Sequence, residues 1–284
     1  MSISTRSFTR ISSPNERLRF HFNSEPVMPA PEILMLTQTD QTSLLSLLRS
    51  ILETGGTKRR SLERNRDERR QAAHSSMLVA RQRWDQADEA LDADGLPLSP
   101  TERHQFETEF LNLFEQVMTS PPDTLSERTL LNWHARICGE HTPPEFIGYR
   151  TSDTIFGDRC GSAAKGLAGD VQALLKEVWA EAKGIDADMS SAWAATAGRG
   201  ENVNMLPEIM TLSVRLHGGL YRMNPFWRHS SLVAHLAGAW VMGRYSWPAP
   251  VFVDVEAYRR ASESLQLEGK HEGLLPLTAR SLPG

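Results

Sequence analysis

The sequence predicts a mainly α-helical protein with one small β-hairpin and additional helices on its N-terminal side. Three observations carry that prediction. Apolar residues recur every three or four positions through most of the chain after residue 99. A convincing β signal is confined to residues 146–158. The most apolar stretch, residues 207–250, divides into two helices about a short polar turn. In the first of these, Ile209, Leu212, Leu216 and Leu220 fall on one face. Pro207 suits the first turn, where a missing N–H costs little, and Asn224-Pro225 breaks the run, because a residue before proline is pushed out of helical dihedrals. In the second, Leu232, Leu236 and Trp240 run beside Val233, Ala237 and Val241. A helix so apolar belongs at the centre of a core. The turn between them, NPFWRHSS, lies at that helix's N-terminus, where free N–H groups and the positive dipole end favour an anion.

Taken from the start, residues 1–38 are rich in Ser, Thr, Arg and Pro and lack periodic apolar residues, so they read as a disordered leader. The acid-free opening MSISTRSFTRISS resembles the export leaders of type III secretion substrates, and equally a transit peptide or a plain unstructured terminus. It has no apolar h-region of a secretory signal. Residues 39–98 form an N-terminal helical segment: SLLSLLRSIL is amphipathic, and Gly55-Gly56 suits its end. The stretch from Lys58 to Arg70 carries seven basic residues against three acids, which suits a solvated helix with Glu–Arg pairs better than a nucleic-acid interface.

The third segment, residues 99–284, is a helical domain. Ser99-Pro100-Thr101-Glu102 opens a helix as a capping box, and Phe106, Phe110, Leu113 and Phe114 face its core side until Pro121-Pro122. Thr124-Leu125-Ser126-Glu127 opens the next with a second box, and His134 sits in its apolar pattern as a packed histidine. The β signal follows through Tyr149, Thr151, Thr154, Ile155 and Phe156. The loop from Arg159 to Gly166 lacks the Walker spacing of a phosphate loop. Asp170 to Ala182 reads as an amphipathic helix, residues 184–205 as a long polar connection, and Ser264 to Gly269 as a helix end with Gly269 as its cap.

Several of these pieces, in this order, resemble the Fic family, whose enzymes transfer AMP from ATP to protein hydroxyls. The family's signature, H-P-F-x-[D/E]-G-N-G-R-x-x-R, lies between two core helices. LLNWHARI followed by Gly148-Tyr149-Arg150 is similar to the segment before the family's flap. LSVRLHGGLYRMNPF is similar to the helix entering the motif, and DVEAYRRASESL to the helix after it. The resemblance covers about residues 100–275. It implies a helical fold with a β-hairpin flap that aligns a target's backbone by strand addition, through Tyr149, Arg150, Thr151 and Ser152. Laid on the signature, Pro225 and Phe226 match. Asn224 stands where the family has its histidine base, and Arg228 where an acid holds magnesium. His229, Ser230 and Ser231 stand where G-N-G cradles phosphates, and Leu232 and His235 replace the two arginines.

AMP transfer needs a base, a cation on the phosphates, N–H groups around them and a positive side chain against developing charge. The carboxamide of Asn224 accepts no proton near neutral pH, and Arg228 repels Mg²⁺. The serines add side chains where glycine allows close backbone approach. No metal and no resident cofactor are therefore expected, and the leading expectation is a non-catalytic or regulatory protein-binding member with an unknown protein target. The alternative is a divergent transferase in which Arg228 partners phosphate and His229 is acid or base. Ser230, Ser231, Arg222 and His217 would then line a pocket for a nucleotide or nucleotide sugar.

Composition sets the remaining bounds. The formal charge of −4 argues against a globally basic nucleic-acid binder, and no apolar run is long enough to cross a bilayer. The only two cysteines, Cys138 and Cys160, imply no disulfide framework. A cytoplasmic protein is expected, or one exported from there into a host cell if the leader works as a secretion signal.

Overall fold

The computed structural model describes Ser46 and residues 62–86, 100–140, 142–151, 155–156, 159–160, 163–195, 205–268 and 273–282. The expectations for residues 1–38, for the SLLSLLRSIL helix apart from Ser46, and for the Ser99 and Gly269 caps lie outside them. The helices are α1 (Leu62–Gln86), α2 (Pro100–Thr119), α3 (Glu127–Cys138), α4 (Leu167–Ala195), α5 (Leu206–Met223), α6 (Ser230–Arg244), α7 (Val255–Glu268) and α8 (Leu274–Arg280). Two-residue strands β1 (Ile155–Phe156) and β2 (Arg159–Cys160) pair antiparallel, Ile155 opposite Cys160 and Phe156 opposite Arg159. Among the described residues, no helix is long and apolar enough to cross a membrane.

The core is built around α6. Every residue from Ser230 to Gly243 is buried, as an all-round apolar helix requires. It lies against α5 along most of its length and is flanked by α1, α2 and α3. Ser213 of α5 donates its hydroxyl proton to the Gly238 carbonyl of α6 at 2.9 Å, which marks a close crossing of the two backbones. The indole of Trp240 donates to the Pro122 carbonyl at 2.7 Å, so this largest core side chain also ends the α2–α3 connection in a fixed place. Helix α1 joins the same core through Ala72, Ala73, Met77 and Ala80. Arg69 binds Glu115 of α2 at 2.7 Å, so one member of the basic run is an intramolecular partner.

Three local expectations change. The box opening α3 sits two residues later than Thr124: Ser126 is the N-cap, its hydroxyl accepts from Thr129 N–H, and Thr129 returns the contact to Ser126 N–H. A threonine can replace glutamate here because its hydroxyl reaches back over the short distance. Helix α4 runs to Ala195, well past Ala182. The polar stretch after 184 stays helical because Ile185 keeps the buried face and Arg244 of α6 ties down Asp186 at 2.8 Å. Tyr149 forms an isolated antiparallel bridge with Phe226 rather than joining the strand pair.

Gly243 allows α6 to approach α2. A Cβ there would lie 2.8 Å from the Val117 carbonyl oxygen and 3.1 Å from the Met118 Cα. Both are backbone atoms that cannot swing aside. Gly243→Ala is expected to cost about 1–3 kcal/mol through overpacking, despite alanine's better helix propensity. Urea unfolding checks it, and an unchanged or raised midpoint would refute the close approach.

Candidate functional site at the N-terminus of helix α6

The loop between α5 and α6 is held from both ends. Asn224 caps α5 in the left-handed region (φ 46°, ψ 62°), with its N–H on the Leu220 carbonyl at 3.0 Å. Asparagine tolerates this conformation better than most residues. Beneath the loop lies Arg150, 2 % exposed. Its Nε donates to the Asn224 carbonyl at 2.7 Å, its Nη2 to the Met223 carbonyl at 3.3 Å, and its backbone N–H to the Pro225 carbonyl at 3.0 Å. A cation on the last carbonyls of a helix meets the negative dipole end.

Phe226 fills the middle of the loop between two rings. The imidazole of His134 stacks on it at 4.3 Å, and the ring of Tyr149 at 5.5 Å. His134 fixes the chain on either side: its Nε2 lies 3.0 Å from the Arg228 carbonyl, and its Nδ1 accepts from Gly148 N–H. Those partners assign the proton to Nε2. Burial lowers its pKa to about 4 and outweighs the bond to Arg228, so the ring is neutral at pH 7. The neighbouring thiol of Cys138, 3.3 Å from Nε2, is pushed up by burial to about 12 and is not a thiolate nucleophile.

His229 caps α6 in the left-handed region (φ 58°, ψ 15°). Its carbonyl accepts from Val233 N–H, and its ring packs against Phe106 at 5.2 Å. Burial, then the charges of His134 and Arg228, lower its pKa to about 3. Ser230 closes the turn on itself: its hydroxyl accepts from Phe226 N–H at 2.9 Å and donates to the Phe226 carbonyl at 3.1 Å. Ser231 is also buried. Arg228 and Trp227 are half-buried beside Phe146, the guanidinium 5.8 Å from its ring.

Asn224, Arg228, His229, Ser230 and Ser231 are thus brought together in one turn, and Arg222 is half-buried in the last turn of α5. Two expected members fall elsewhere. Arg150 was expected among the flap residues that dock a target, but its side chain is buried and bonded to the carbonyls inside the loop. His217 was expected in the pocket with Arg228, but it faces the core side of α5, where its Nε2 meets the Tyr258 hydroxyl at 2.9 Å. The helical spacing of His217 gives its face but not which neighbour that face meets. Thr151 is exposed, and Ser152 lies outside the described residues. Nothing in the spacing around His134, beyond its place in an apolar pattern, marks it as the loop's clamp.

The residues of the turn do not fit a magnesium–nucleotide group. From Asn224 to Ser231 there is no carboxylate, Arg228 brings a guanidinium just before the helix cap, and the capping imidazole of His229 is buried and held neutral. No catalytic step through a metal follows from this donor set.

Neither a family model nor a curated protein matches the sequence. Solved structures do match. A Fic family protein from Desulfovibrio desulfuricans G20 superposes with a TM-score of 0.56 at 14 % identity, over 88 % of this chain and 74 % of its own. A Fic-domain signalling protein from Bacteroides thetaiotaomicron gives 0.52 at 14 % identity, over 85 % and 93 %. An IbpAFic2 variant in complex with adenylylated Cdc42 gives 0.53 at 11 % identity, over 89 % and 72 %. At these identities the likeness is one of fold, and the fold of this chain is the Fic fold.

Proposed function

We propose that this Fic-fold protein acts by binding another protein and does not transfer AMP by the family's usual route. The observation that carries the reading is the closed turn at the α6 N-terminus. There Ser230 satisfies the backbone of Phe226, His229 and Ser231 are buried, and no carboxylate is available for a metal. A protein partner is supported by a neighbour of the same fold that is seen in complex with a protein, Cdc42. The strand pair β1–β2, with exposed Thr151 just before it, is the element suited to receive an extended segment of the partner by strand addition. A transferase rebuilt on Arg228 and His229 is the weaker reading, because a ring held near pKa 3 is a poor base at neutral pH.

Thermal unfolding against ATP, UTP, CDP-choline and nucleotide sugars at millimolar concentration, with and without Mg²⁺, tests this. A ligand that binds only the native state raises Tm by mass action. No shift is expected from any of them. A shift of several degrees that disappears in Arg228→Ala would overturn the reading and name the donor class.

A further inference from the structure

His134 joins the α5–α6 loop to residues 146–149, the segment packed on it. Its Nε2–H is bonded to the Arg228 carbonyl at 3.0 Å, and its Nδ1 accepts from Gly148 N–H at 3.2 Å. We propose that His134 is an acid-operated latch: a proton on Nδ1 detaches residues 146–149 from the loop and uncovers the Phe226 ring. The inference does not depend on the partner proposed above. The two nitrogens have opposite roles. A proton on Nδ1 turns the acceptor into a donor, so two N–H groups face each other and the Gly148 bond is lost. The bond to Arg228 survives, because Nε2 carries a proton in either state. The imidazolium therefore needs water only on the side where Gly148 lies, and that is the outer side. Ile147 is 36 % exposed, and a Cβ on Gly148 would meet nothing within 4 Å. Gly148 sits at φ 116°, where glycine carries no strain, and can act as the hinge. Arg150 stays anchored by its bonds to the Met223, Asn224 and Pro225 carbonyls. Tyr149 lies between hinge and anchor, so on opening its ring leaves Phe226, on which it stacks at 5.5 Å.

The groups around the ring keep it neutral while the segment is closed. On its own helix the Cys138 thiol, 3.3 Å from Nε2, is protonated. From the loop come the Arg228 guanidinium, whose charge reaches Cys138 and His229, and the His229 ring, which burial keeps neutral. From the covering segment comes the Tyr149 phenol, held protonated by burial and by Glu127. Of the carboxylates on or against α3, Glu109 of α2 is bonded to Arg136, and Glu127 to Gln172 of α4. Burial accordingly holds His134 at about 4 in the closed form. With the segment open, Nδ1 reaches water and the ordinary value of about 6.5 returns. The open form then binds the proton more tightly, so acid favours opening. For one such ring the opening constant rises about twentyfold from pH 7 to pH 5.

Amide exchange of the full chain at pH 7, 6 and 5, corrected for the intrinsic rate at each pH, tests the latch. The opening constant at the Gly148 amide is expected to rise about twentyfold over that range, with a slope of no more than one proton. Amides in the middle of α6 report opening of the whole domain, and their dependence on pH is expected to be steeper, because more than one buried ring is then released. A flat profile at Gly148 overturns the proposal, and so does one that coincides with α6. His134→Gln keeps a donor and an acceptor and removes the titrating proton. In that variant the Gly148 opening constant is expected to change by less than about threefold between pH 7 and pH 5. A change as large as that of the native chain would overturn the assignment to His134. If the variant does not fold, the slope at Gly148 in the native chain decides.

Discussion

Lowering the pH from 7 to 5 is expected to remove on the order of 5 kcal/mol of folding stability, because three histidines are buried as neutral rings. His134 is held near 4 and His229 near 3, both chiefly by burial. His235 is held well below its ordinary value by burial and by neighbouring His217. The unfolded chain binds protons on these rings near pH 6.5, so below that pH it holds more protons than the folded chain. Stability is therefore complete above about pH 6.5 and falls through that value down to the folded values. Between pH 7 and 5 each ring contributes at most about 2 kcal/mol, set by the unfolded value and not by how far the folded one has moved. Three such rings take a large share of the 5–15 kcal/mol that holds a typical domain. A charge on His134 would further disfavour one on His229, a smaller effect than the burial of His229 itself. Urea unfolding at pH 7, 6 and 5 reads the effect as a falling free energy at constant m-value. A flat profile over that range would mean that the rings are solvated and the loop is not closed as described.

Much of this arrangement was legible in the sequence because helices announce themselves by spacing. The apolar lines of α5 and α6, the Pro207 start and the break at Asn224-Pro225 located the central pair and the turn between them to within a residue or two. The sequence was less informative where a contact joins distant segments. Ser126 and Thr129 form the box of α3 because hydroxyls bond whichever backbone N–H lies close, and more than one register offers such a pair. Helix α4 outruns its apolar pattern because Arg244, far along the chain, binds Asp186. The meeting of His217, His235 and Tyr258 depends on how α5, α6 and α7 cross, which no local spacing encodes. Of the candidate site, the turn itself was readable. Which of its side chains face outward was not, because a loop of six residues has no period to show its buried face.

Arg150 shows the consequence most sharply. Arg150→Ala is expected to destabilise the protein by about 3–5 kcal/mol, since it strands two buried carbonyls at the end of α5 and each costs about 1–3 kcal/mol when left without a donor. Asn224 is fully buried and Met223 nearly so, which leaves water little access to replace the guanidinium. Arg150→Lys separates charge from geometry. It keeps the cation at the dipole end, but a single ammonium cannot reproduce a planar fork aimed at two successive carbonyls. It is expected to recover less than half of the loss, and Arg150→Met, which restores the bulk without the donors, less still. Guanidinium unfolding of the three variants ranks them. A docking residue would give the opposite pattern, with stability unchanged and partner binding lost, as is expected for the exposed Thr151. A cost below about 1 kcal/mol for Arg150→Ala would place the side chain at the surface. The loop would then have to be held by His134 and Ser230 alone.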